Sequence, residues 1–291
     1  MTAATAWPWS GTVCSAGGFS DRLQGLLELT QGWPVVGWET ACRFSPAGLV
    51  PDRLLLALDP AAVPPARIRA LPAALAMPAG LADEFLADCA GAEQILLALE
   101  GSPRGVETRA YLGFAAQGHP LQPGLTMRGF KWFGAQGQGA AQVRISDYWR
   151  VPLTAQALCQ RLPSGDSGAL AAAWAVPVRA LQLALARGQA LAEIEYWAVT
   201  EPGSGRGSGC LRLYETGLCV ADLADVLDEL LGIWSLRSSA SDQLLISMGQ
   251  RSLGWVAAGV DAAGQPFVTI YVAAGPQDVR HLTAAGGQYA Q

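Results

Sequence analysis

The feature that most limits the fold is a two-residue alternation that recurs in five pairs of short segments. Residues 37–59, GWETACRFSPAGLVPDRLLLALD, read as two strands joined by a Pro/Gly turn. Successive side chains of a strand point to opposite faces. Leu54, Leu56 and Leu58 therefore share one face, and Arg53, Leu55, Ala57 and Asp59 the other. In the first strand Glu39 and Arg43 lie opposite Trp38 and Cys42. Such strands suit a sheet that packs helices outside and lines a cavity inside.

Four more pairs follow: 94–100 with 106–114, 127–133 with 141–149, 191–199 with 210–214, and 252–260 with 267–273. Glu107, Arg109, Tyr111 and Gly113 share a face, as do Arg144, Ser146 and Tyr148, Arg212 and Tyr214, and Phe267, Thr269 and Tyr271. Helix-forming sequence separates the pairs: 19–31, the end of 61–92, 154–162, 167–189 and 221–234, with Pro177 expected to end or kink its helix. Strands that come in twos disfavour strand–helix–strand folds. Sequential hairpins tend to be neighbours, and about ten antiparallel strands can close into a barrel wide enough for a ligand. The expected class is α+β, a ten-strand antiparallel barrel of five hairpins surrounded by helices, with a two-layer open sheet as fallback. Residues 1–18 read as a flexible N-terminal arm and 19–291 as a single barrel domain.

Composition removes several function classes. A net charge of −5 argues against a broad nucleic-acid footprint, and no apolar run suggests a membrane span. Six scattered cysteines without CxxC spacing favour reduced thiols and a cytoplasmic setting. Two histidines leave little for a His-rich metal site or a His-based nucleophilic system. The basic residues are eighteen arginines and one lysine, Lys131. The Gly-rich stretches GAQGQGA and GSGRGSG lie between strands and lack GK[ST], so they read as hairpin tips rather than phosphate loops.

If the charged faces point inward, one lumen collects Arg53, Arg109, Lys131, Arg144 and Arg212, the tyrosines Tyr111, Tyr148, Tyr214 and Tyr271, and a lone acid, Glu39. Several cations in a partly dehydrated cavity match a diphosphate, whose oxygens accept charge-assisted hydrogen bonds. Tyrosine faces beside it suit a developing carbocation. Glu39 could deprotonate a nucleophile. Trp132, Trp197 and Trp255 could bound the isoprenoid or acceptor pocket.

This order of strands and lumen residues resembles the ABBA-type aromatic prenyltransferases, and among them the peptide prenyltransferases of cyanobactin biosynthesis. The carrying segments are WETACRF with DRLLLALD, VETRAYLGF, GFKWF, and SLGWVAAGVD with PFVTIYV. The resemblance implies transfer of a dimethylallyl or geranyl group from its diphosphate, with Mg2+, to an aromatic side chain of a short or macrocyclic ribosomal peptide. It places Glu39 at the acceptor and Arg53 and Arg109 at the diphosphate, with Lys131 and Arg212 matching by class. Two alternatives stand beside it: prenylation of a small indole or phenol, and a non-catalytic barrel holding a hydrophobic ligand.

Overall fold

The computed structural model describes residues 18–51, 53–102, 105–115, 118–119, 122–134, 142–151 and 168–275. The arm expected over 1–18, the helix over 154–162 and the GAQGQGA tip fall wholly or mainly outside them.

The long strands are β1 (Val35–Ser45), β3 (Arg53–Leu58), β4 (Gln94–Ser102), β5 (Gly105–Gly113), β8 (Leu125–Phe133), β9 (Val143–Val151), β10 (Tyr196–Thr200), β11 (Gly207–Arg212), β12 (Leu253–Val260) and β13 (Pro266–Ala273). They pair antiparallel in that order, and β13 pairs back with β1, from Glu39 opposite Ala273 to Phe44 opposite Val268, so the sheet closes. Ten strands in five hairpins form the barrel, as the alternation predicts. Short β2 (Gly48–Val50) adds to β1, and β6 (Gly118–His119) with β7 (Gln122–Pro123) makes a separate hairpin.

Helices cover the outside. On one side α1 (Phe19–Leu29), α2 (Pro65–Ala74) and α3 (Ala79–Cys89) meet Leu54, Leu56 and Leu58 of β3, all fully buried. Phe85 of α3 packs edge-on to Phe130 of β8, with ring centroids 5.4 Å apart; burying one such ring contributes roughly 1.5–3 kcal/mol. On the other side α4 (Ala169–Ala186), α5 (Ala224–Ile233) and α6 (Ser239–Met248) cover β11 to β13. Ser238 caps α6 by accepting from the Ser241 amide, a local signal that marks a helix the apolar pattern alone does not.

Three expectations are corrected. Helix α4 runs through Pro177 without ending, its Ala172, Ala173 and Val176 face buried against the barrel side. The same helix is long and apolar enough to cross a membrane, although no other described helix is; here that apolar character meets the sheet. In the fourth hairpin a 3-10 turn occupies Leu191–Glu193, so the strand begins only at Tyr196, and its partner ends at Arg212 before a second turn at Tyr214–Thr216.

Gly129 of β8 lies opposite Tyr111 of β5. A Cβ there would stand 2.7 Å from two Tyr111 ring carbons, so the missing side chain lets that ring lie across the sheet. Gly129→Ala is expected to cost about 1–3 kcal/mol, by the overpacking it forces, read as an earlier midpoint in chemical denaturation with unchanged slope.

Candidate active site

The barrel encloses a cavity of about 1190 Å³. Alternation delivers the expected faces to it: Glu39 from β1, Arg53 and Leu55 from β3, Arg109 and Tyr111 from β5, and Tyr271 from β13 line it, while the intervening leucines meet the helices.

Its charges form a chain of alternating sign. Glu100 of β4 binds Arg53 (3.1 Å) and Arg109 (2.6 Å) through Oε2; Glu107 takes the Arg109 Nε hydrogen bond (2.5 Å) and also bonds Arg144. Glu100 and Glu107 are directly opposite across β4 and β5, a like-charge pairing that is unfavourable by itself. Arg109 lies between them and offsets it. Burial pushes both carboxyls up, but Arg109 with Arg53 outweighs it and holds Glu100 down to about 2; Glu107 is lowered in the same way by Arg109 and Arg144. The expectation of a lone acid is therefore overturned: Glu100, on the same face as Leu96 and Ala98 in QILLALE, and Glu107 neutralise arginines that would otherwise need an external anion.

Of two further expected diphosphate contacts, Arg212 lines the cavity and Lys131 does not. Lys131 faces inward but is 1% exposed, donating from Nζ to Ser146 Oγ and to Glu201 Oε1 (2.9 Å). Burial and the neighbouring Arg206 and Arg109 push its pKa well down, and it does not line the cavity. Arg212 is held bidentately by Glu215 (2.6 Å to each oxygen) and acts on Glu39 rather than joining the arginine chain. Arg206 and Glu201, bonded at 2.9 Å, come from the EPGSGRGSG stretch, whose reading as a plain hairpin tip hid them. Arg43 pairs with Asp261 (2.8 Å) and lies over the Phe267 ring.

An aromatic wall crosses the lumen from β5 to β12. Tyr111 meets Tyr148 edge-on (6.1 Å), Tyr148 meets Trp197 (6.4 Å), and Trp197 leans on Trp255 (4.6 Å). Tyr271 lies beneath the Arg53 guanidinium at 4.9 Å. Burial pushes the Tyr271 phenol up to about 12 and that of Tyr148 well above its usual value, so both stay neutral. Tyr214 lines the cavity beside Arg212. Trp132, by contrast, faces the helices and is buried with Phe85 and Phe130, as its position one residue from Lys131 requires; it is not a pocket residue.

Glu39 stands apart. Among the described residues its carboxylate makes no hydrogen bond or ion pair, and burial raises it to about 7, against the pull of Arg53 and Arg212. A group of three or more His, Cys, Asp or Glu able to hold a metal is absent from the described residues. The carboxylates nearest the arginines are bonded to guanidiniums, so the expected Mg2+ finds no ligand set among them.

Neither a family model nor a curated protein matches the sequence. Solved structures do. The chain is similar to 5-dimethylallyltryptophan synthase from Streptomyces coelicolor, with a TM-score of 0.57, 15% identity, and coverage of 88% of this chain and 95% of that one. It is similar to NotF prenyltransferase (0.54, 11%, 88% and 92%) and to PriB in a binary complex with product diphosphate (0.53, 12%, 88% and 94%). The barrel has the ABBA prenyltransferase fold. The likeness covers the fold of nearly the whole barrel, and the lumen residues above are what this chain sets inside it.

Glu39 also has a measurable cost. Its folded pKa lies above the unfolded value of 4.5, so the native state holds a proton that the unfolded chain releases between pH 4.5 and 7. Its contribution is complete below pH 4.5 and is lost as pH rises through 7. Glu39→Gln is expected to gain about 1–3 kcal/mol over the parent at pH 8 and much less at pH 4.5, measured by denaturant titration at both.

Proposed function

We propose that the chain transfers a dimethylallyl group from its diphosphate to the ring of a small aromatic acceptor of the indole class. The observation that carries this reading is the lumen itself: an arginine chain and an unpaired, half-titrated carboxylate share one cavity, with an aromatic wall beside them. The similar synthase from Streptomyces coelicolor has been solved with DMASPP and Trp (TM-score 0.56, 16% identity, coverage 88% and 93%), which supports a donor and an aromatic acceptor side by side.

In this reading Arg53, Arg109 and Arg144 hold the diphosphate while the bond from C1 of the prenyl group to oxygen breaks and its electron pair leaves with the diphosphate. Tyr111, Tyr148 and Tyr271 flank the allyl cation, attract it through their ring faces and exclude water. The acceptor ring stacks toward Trp197 and Trp255, its electron pair forms the new C–C bond, and the proton it sheds goes to Glu39. A pKa near 7 suits that exchange.

A peptide acceptor is the second reading. It is favoured by the cavity volume of about 1190 Å³, above the usual range for one small ligand of about 300–1,000 Å³. The segment after Ala273, which would bear on whether the barrel mouth admits a peptide, lies mostly outside the described residues.

Incubation with dimethylallyl diphosphate and either L-tryptophan or a tryptophan-containing cyclic peptide, read by mass spectrometry and diphosphate release, separates these readings. Prenylated tryptophan is expected. Prenylated peptide alone would favour the second, and no diphosphate release with any acceptor would leave a non-catalytic barrel. The rate is expected to rise with pH through about 7, where Glu39 ionises. Glu39→Gln is expected to abolish that limb and lower turnover by about 10²-fold or more, with pyrophosphate binding retained.

A further inference from the structure

The arginine cluster in the cavity carries its own acids. Three arginines, Arg53, Arg109 and Arg144, share two carboxylates, leaving an excess of one positive charge. Every one of these side chains lines the cavity. Glu107 bridges two of them: its two oxygens engage guanidiniums on two strands, Arg109 of β5 and Arg144 of β9. Glu107 is almost wholly enclosed, while the Arg144 side chain is 34% exposed. An anion reaching these arginines must therefore be held at close range to an ionised carboxylate.

Resting on the reading above, we propose that Glu107 is an internal counter-anion of the diphosphate subsite, which holds Arg109 and Arg144 in place between turnovers and weakens the grip on the product diphosphate. Buried arginines without a partner anion would be costly and poorly ordered. Glu107 supplies that anion in the free protein. A bound diphosphate then competes with Glu107 for the same N–H donors and is repelled by its charge. This repulsion acts on the donor and on the released diphosphate alike. It matters most for the product, which lacks the prenyl chain and the apolar contacts that help hold the donor. Glu107 is in this account a specificity and release residue of the anion site, with no part in bond making.

Isothermal titration of the full chain with inorganic pyrophosphate tests this. Glu107→Gln keeps the shape and removes the charge, and is expected to tighten pyrophosphate about tenfold or more. Pyrophosphate should also become a correspondingly stronger inhibitor of transfer. A carboxylate with a purely structural role predicts equal or weaker binding in the variant, and that result, in protein shown folded by circular dichroism, overturns the proposal. If Glu107→Gln alone does not fold, the comparison moves to the Arg144→Gln background. There, adding Glu107→Gln is expected to restore pyrophosphate affinity lost with Arg144, and no restoration overturns it. Transfer activity in the parent with no tightening in the variant sinks this inference alone. Tightening in the variant, with no transfer by the parent to any acceptor, supports the anion-site role while removing the prenyl-transfer reading.

Discussion

Closure of the sheet is the constraint from which the rest follows. Once β13 pairs with β1, there is no outer edge, and every inward side chain must find its partners within one enclosed space. Charges placed there lose most of their hydration and must be matched by opposite charges or by a ligand. The Arg53–Glu100–Arg109–Glu107–Arg144 chain is the local solution, and Lys131 with Ser146 and Glu201 is a second one. Glu39 escapes this pairing, and its raised pKa is the consequence. The same enclosure that makes an unpaired acid unfavourable also moves its titration to near neutral pH.

The strand architecture was legible because the alternation carries physical content on both faces. Leu54, Leu56 and Leu58 could not all face solvent, so Arg53 had to face the lumen. The same logic turns Arg109, Tyr111, Tyr148 and Tyr271 to the lumen, and applied to Trp132 it puts that ring with the helices rather than in the pocket, since Trp132 and Lys131 are adjacent and cannot share a face. What alternation cannot supply is which charge meets which. Glu100 and Arg53 are far apart in the chain, and only the β3–β4 register sets them opposite each other. Lys131 stood out as the single lysine, yet its neighbour Glu201 comes from the end of another hairpin and removes it from the lumen.

Helix boundaries divided along similar lines. Strong amphipathic segments such as α5 announced themselves, with Val226, Leu227, Leu230 and Leu231 buried on one side. Helix α6 rests more on its Ser238 cap than on an apolar stripe. Pro177 shows the opposite case: packing of α4 against the sheet outweighs the hydrogen bond a proline removes.

The pairing of the first long strand with the last has a bearing on how such a chain is made. Residues 39–44 must wait for residues 268–273, so during synthesis the first long strand is made well before the strand that closes the barrel on it. Contacts of that sequence separation are slow to form, and the earlier hairpins would stand meanwhile as open ribbons with exposed hydrogen-bonding groups. The paired arginines and glutamates on those ribbons remain hydrated until the final strand arrives. Closing that seam is what dehydrates the interior, so a chain in which β13 is unpaired keeps its polar face in water, where charge resists aggregation.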